Sequence, residues 1–83
     1  EELSSYISTS MAIHRDTLVI GYENGSLALL DITNKKLIAT YRAGEDPVTA
    51  ITSDNSGKIW IGTKGSGLYC LHNNNLLQYT TTE

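Results

Sequence analysis

Laid over itself with an offset of 41 residues, the sequence repeats. Ile20-Gly21 falls on Ile61-Gly62, Leu18 on Ile59, Leu27 on Leu68 and Leu30 on Leu71, while Ile7, Asn34 and Thr40 fall on Val48, Asn75 and Thr81. In a chain of 83 residues this leaves room for two copies of one unit and little else. A tandem unit of this size cannot bury its apolar face alone and stacks on a neighbour, so the repeat restricts the fold more than composition does.

Within each unit no stretch shows apolar residues at helical spacing. Short runs rich in β-formers alternate with turn residues instead. The pattern predicts strands over residues 4–11, 17–21, 26–31, 36–41, 47–52, 58–62, 67–71 and 76–81. Between them, Glu23-Asn24-Gly25, Asp54-Asn55-Ser56-Gly57 and Lys64-Gly65-Ser66-Gly67 supply the positive φ or side-chain capping that hairpins require. Ile32-Thr33-Asn34-Lys35 and His72-Asn73-Asn74-Asn75 are polar connections of the length that joins antiparallel neighbours.

Four strands per unit at a period near 40 residues is what a β-propeller blade requires. The expected fold is therefore all-β: two four-stranded antiparallel blades with a period of 41 residues, blade one over about 4–42 and blade two over about 47–82, belonging to a larger ring. A blade packs both faces against neighbours, which explains why Leu18-Val19-Ile20 and Ile59-Trp60-Ile61 are continuous apolar runs. Gly21 and Gly62, which follow them, fit a close backbone approach. With Gly25, Gly57, Gly67 and Trp60 they make up the expected structural set.

Two blades cannot close a ring. An isolated pair would expose two outer apolar faces, each beyond the few hundred Å² usual for soluble monomers. The expected partners are thus neighbouring propeller blades, from the same parent chain or from other copies.

The second unit carries Val48-Thr49-Ala50-Ile51, then Asp54-Asn55-Ser56-Gly57-Lys58-Ile59-Trp60-Ile61-Gly62-Thr63, then Gly67-Leu68-Tyr69. It resembles the two-component regulator propeller repeat, an inner strand followed by a D-x-x-G-x-[IL]-W-[IV]-G-T segment and a G-G-L-Y-like strand. The resemblance covers residues 48 to about 81, with Tyr79-Thr80-Thr81 as the outer strand. The first unit departs from it: Val19 stands for the tryptophan, Tyr22 for the threonine, and His14-Arg15-Asp16 for the aspartate turn. Its Gly21-Tyr22-Glu23-Asn24-Gly25-Ser26-Leu27 and Leu29-Leu30-Asp31 are also similar to WD-repeat blades. The regulator resemblance implies the periplasmic sensor region of a bacterial hybrid histidine kinase that detects carbohydrate-derived ligands. The segment itself has no kinase motif, so signalling chemistry would lie elsewhere in a longer chain.

Other chemistries find little support. A net charge of −3 and six scattered Lys and Arg give no basic stripe, so nucleic acid is not an expected partner. No apolar run approaches the roughly 20 residues that span a bilayer, and Glu1-Glu2 is unlike a signal peptide's basic start, so no membrane contact is expected of this segment. Cys70, the single cysteine, lies in the apolar run Leu68-Tyr69-Cys70-Leu71 and reads as a buried structural thiol.

Gly62-Thr63-Lys64-Gly65-Ser66-Gly67 precedes a strand and lacks the GK[ST] ending of a phosphate loop, so it reads as a hairpin turn. His14 and His72 have no second histidine or cysteine at ligand spacing. Glu45-Asp46, adjacent in sequence and followed by Pro47, suit a solvated loop better than an acid–base pair. Asn24-Gly25-Ser26 is formally a glycosylation sequon but reads as a turn. No catalytic residue, cofactor or metal site is expected.

Topology nevertheless selects a face. In an up-and-down blade the connections alternate ends, so the inter-unit segment around Glu45 and Asp46 shares a rim with the hairpin tips at Glu23-Asn24 and Lys64-Gly65-Ser66. Loops on a rigid scaffold are where recognition residues concentrate. The candidate ligand-facing residues are Glu23, Asn24, Glu45, Asp46, Lys64 and Ser66. The expected function is ligand sensing for a two-component regulator on the extracytoplasmic side, with a glycan as ligand. The alternative is a cytoplasmic WD-like scaffold that binds proteins.

Overall fold

The computed structural model describes residues 7–79. The strands are β1 (Ser8–His14), β2 (Thr17–Tyr22), β3 (Ser26–Asp31), β4 (Lys36–Arg42), β5 (Val48–Ser53), β6 (Ile59–Thr63), β7 (Leu68–His72) and β8 (Asn75–Tyr79). They form two four-stranded antiparallel sheets, each in plain chain order. Two consecutive propeller blades have this architecture. The first strand was expected over 4–11 but runs on to His14, because Arg15, at φ 59°, closes a two-residue connection that pairs His14 with Thr17. Residues 4–6 of that expected strand, and 80 and 81 of the last, lie outside the described residues.

Directly paired residues on neighbouring strands share a face of the sheet. In the first sheet Val19, Leu29 and Ala39 form one such row, and Gly21, Leu27 and Tyr41 the next. In the second sheet the matching rows are Ile59, Leu71 and Leu76, and Ile51, Ile61 and Tyr69. These faces meet and form the core, with Val48 and Ala43 closing it at the loop end. Leu27, Ile61, Val19 and Val48 are its largest fully buried side chains, each stabilising the fold by about 1.5–3 kcal/mol relative to exposure.

The sheets approach through β5, which lies against β1 and β2. The closest point is Gly21, where a β-carbon would stand 2.5 Å from Cγ1 and 2.6 Å from Cβ of Val48. Only a glycine leaves room for the valine. Gly62, its counterpart, faces outward, and a β-carbon there would meet nothing nearer than Thr49 Oγ1 at 3.5 Å.

The central strands keep the 41-residue spacing: Gly21 pairs with Leu27 as Gly62 pairs with Leu68. The flanking strands slip. Ala12 pairs with Val19 while Thr52 pairs with Trp60, so β5 follows β1 by 40 residues. Tyr41 pairs with Leu27 while Tyr79 pairs with Leu68, so the outer strands end 38 apart. Val48 therefore occupies the place of Ser8 rather than of Ile7, and Gln78 that of Thr40. Hairpin length and one bulge are the cause. Between Asp54 and Lys58, the equivalents of the paired His14 and Thr17, the loop is one residue longer. The Asn73-Asn74 turn is two residues shorter than Ile32-Thr33-Asn34-Lys35, and the register shift at Leu29/Leu30, which passes over Ile38, adds the third residue of the slip. The 40-residue relation of the first strands recurs in their irregularities, since both ladders shift register at a threonine, Thr9 and Thr49.

Candidate functional site: a cleft on the loop rim

The segment that links the sheets is held between two hairpin tips. The Ala43 amide donates to the Gly25 carbonyl at 2.7 Å; a β-carbon on Gly25 would run into the Gly44 carbonyl, and one on Gly44 into the Ser66 side chain of the other tip. On the other side Ser66 Oγ donates to Asp46 Oδ2 at 2.9 Å, and the Lys64 amide donates to the Pro47 carbonyl at 2.9 Å. The tips and the linking segment thus share one rim, as the up-and-down topology requires.

The two tips are built differently. In the first, Gly25 at φ 89° follows a turn closed by its amide on the Tyr22 carbonyl, and Asn24 Oδ1 accepts from the Ser26 amide at 3.1 Å. This is a three-residue loop rather than the two-residue turn that Asn-Gly usually makes. In the second, Thr63 Oγ1 donates to the Gly67 carbonyl at 2.7 Å and accepts from the Ser66 amide at 2.9 Å. Gly67, at φ 95°, completes the reversal.

Beside the second tip lies an open cleft of about 840 Å³. Among its lining residues Glu45, Asp46, Lys64 and Ser66 were expected at a ligand-facing rim. Thr63, Tyr69 and Gln78 also line it and were missed. Gln78 Nε2 donates to the Ser66 carbonyl at 2.8 Å, which ties β8 to the tip. Gln78 lies on the last strand, and only the register that pairs it with Tyr69 brings it to this rim. Glu23 and Asn24 belong to the rim but do not line the cleft: the Glu23 amide is engaged by the Ile7 carbonyl and the Asn24 side chain by its own loop.

The wall combines two carboxylates, one ammonium, two hydroxyls, a carboxamide and the Tyr69 ring. One lysine against two acids gives no anion-binding excess. Such a wall offers both donors and acceptors to a neutral polyhydroxyl molecule.

At the opposite end of β6 the Asp54 turn joins the aspartate, glycine and tryptophan of residues 54–60. Asp54 Oδ1 accepts from the Ser56 amide at 2.9 Å, Ser56 Oγ at 2.7 Å and the Lys58 amide at 3.0 Å, and Oδ2 accepts from Trp60 Nε1 at 3.1 Å. Donation by the Ser56 hydroxyl, then by the Trp60 indole and the Lys58 amide, holds the carboxyl well below the usual carboxylate range. Gly57, at φ 89°, makes the reversal. Aspartate, glycine and tryptophan are therefore one device that fastens the turn to the strand.

Residues 44–65 match the family model of the two component regulator propeller. The matched segment runs from the linking segment through the Asp54 turn and β6 into the second tip, and so supplies Gly44, Glu45, Asp46 and Gly62-Thr63-Lys64-Gly65 of the cleft. Seven of the cleft's twelve lining residues thus lie in the segment that matches this model. No curated protein matches the chain significantly.

The remaining sequence candidates stay apart. His14 ends β1 and His72 ends β7, and among the described residues no three His, Cys, Asp or Glu side chains converge on a metal-sized site. Cys70 is 2 % exposed, and burial pushes its thiol pKa up, which disfavours the reactive thiolate.

Proposed function

We propose that this chain is a ligand-sensing propeller segment of a two-component regulator, that its rim cleft takes a carbohydrate-derived ligand, and that occupancy is passed to a kinase elsewhere in the parent chain. The observation that carries this reading is the coincidence of the cleft with the matched repeat: residues 44–65 contribute seven of its twelve lining residues. Recognition rather than catalysis is the role assigned. Asp46 and Gln78 would accept and donate to sugar hydroxyls, Lys64 would donate from the open side, and the Tyr69 hydroxyl lies beside Gly44 at the cleft's base. A sensor of this kind belongs on the extracytoplasmic side of the membrane.

A neutral oligosaccharide array tests the reading. Binding is expected for the unmodified chain, with loss of at least tenfold in affinity for Asp46→Ala and Gln78→Ala and little change for Glu23→Ala, which lies on the same rim outside the cleft. Binding to proteins alone, with no response on the array, would support the scaffold alternative and sink this one.

A further inference from the structure

At the base of the rim cleft the fold leaves one polar group unused. Tyr69 is part of the core and is 8 % exposed. Its hydroxyl makes no hydrogen bond with any described residue, and since no sealed side-chain oxygen among them lacks a partner, that hydroxyl reaches solvent. It does so at the cleft, which Tyr69 lines, beside Gly44: a β-carbon there would stand 3.2 Å from it. A buried tyrosine ordinarily spends its hydroxyl on a partner within the protein. Here the ring is fixed in the core and the hydroxyl is left for a ligand.

Gly44, at φ 79°, carries no side chain, and the space it leaves is a notch. Ser66 forms another side of it, because a β-carbon on Gly44 would run into Ser66 Oγ. The Ser66 hydroxyl gives its proton to Asp46 Oδ2 at 2.9 Å, so its oxygen can only accept from a ligand. Asp46 is half-buried, and among the described residues Ser66 is the one donor to its carboxylate. Acceptors therefore dominate the notch: the Asp46 carboxylate, Ser66 Oγ and the lone pairs of the Tyr69 hydroxyl, against a single proton on the tyrosine. Glu45 adds a second carboxylate to the same cleft.

We propose that Tyr69, Ser66 and Asp46 around Gly44 form the specificity-determining subsite of the cleft, and that it takes a protonated primary amine, so that the preferred ligand is an amino sugar. The inference rests on the reading of the cleft as a carbohydrate site and names the sugar class within it. An ammonium donates three hydrogen bonds and accepts none, which suits a notch of oxygens, and its charge is met by Asp46. A sugar hydroxyl has one proton to give and leaves the carboxylate without a counter-charge. An N-acetyl group has a single N–H, no charge, and a carbonyl for which the tyrosine proton is the notch's one donor. A uronate or sulfate would set like charge against Asp46 and Glu45.

Calorimetric titration of the 83-residue chain with three oligosaccharides of one length and linkage tests the proposal: glucosamine, N-acetylglucosamine and glucose oligomers, at a pH where the amine is protonated. The glucosamine oligomer should bind at least about tenfold more tightly than the other two, the worth of one hydrogen bond to a charged group. Tyr69→Phe, which removes the hydroxyl and keeps the ring, and Asp46→Asn, which keeps an acceptor for Ser66, should each erase most of that preference. Circular dichroism and the urea midpoint check that both variants are folded. Equal or tighter binding of the acetylated or glucose oligomer to the unmodified chain would overturn the inference and leave the carbohydrate reading standing. A preference for the amine undiminished in both folded variants would also overturn it, tracing the preference to the chain's net charge of −3. Failure of all three oligomers to bind would overturn the carbohydrate reading and this inference together.

Discussion

Asp54 shows how one side chain can organise a turn. Both of its oxygens are engaged, one by two backbone amides and a hydroxyl, the other by the Trp60 indole, and the same tryptophan ring lies 5.5 Å from that of Tyr79 at a tilt of 59°. The turn is thereby coupled to β8 through Trp60. Because the folded state holds this carboxyl below its ordinary value of 3.8, the stabilisation it supplies is fully present above that pH. It declines as pH falls below 3.8 toward the depressed folded value. A carbon-detected NMR titration should therefore place the Asp54 midpoint below 3.8. Trp60→Phe, which removes the indole donor, should move it upward, and an unchanged midpoint in that variant would show that the indole does not hold the charge.

Among the elements, the hairpins decide how far the repeat stays in register. The Asn73-Asn74 turn places both residues in the left-handed region, at φ 54° and 65°, which is the two-residue turn whose twist matches the flanking strands. Asn74→Ala should lower the stability by about 1 kcal/mol, since alanine pays the left-handed penalty without the local hydrogen bonding of asparagine, whereas Asn74→Gly should hold or raise it. Urea unfolding midpoints measure both. The strands themselves were legible from alternating β-rich runs and turn residues, and six of the eight begin and end within one residue of their expected limits. What a single offset could not reveal was the slip of the flanking strands. Counting along the chain treats a longer turn at Asp54 and a shorter one at Asn73-Asn74 as the same length, so Ile7 was matched with Val48 and Thr40 with Thr81. The same blindness hid Gln78, whose place at the rim depends on pairing rather than on its neighbours in sequence. Glu45, Asp46, Lys64 and Ser66 were legible because alternation of loop ends needs only the strand count.

For the molecule as a whole, the two sheets act as one body through a joint that is closest at a single glycine. Gly21→Val would force a side chain into the space of Val48, and overpacking of this kind costs about 1–3 kcal/mol. The loss should appear as one lowered, still cooperative unfolding transition, because separating the sheets exposes the core that both share. At the rim the Ala43 amide continues the pairing of β3 with β4 by donating to Gly25, so the linking segment is anchored to the first sheet. The most direct test of this packing is a nuclear Overhauser measurement on chain labelled at the valine methyls. Strong contacts from the Val48 methyls to the Gly21 α-protons, with weaker ones to Gly62, are predicted by two blades stacked as described. Val48 methyls that see no Gly21 α-proton would contradict it and would mean that the two sheets do not pack as consecutive blades.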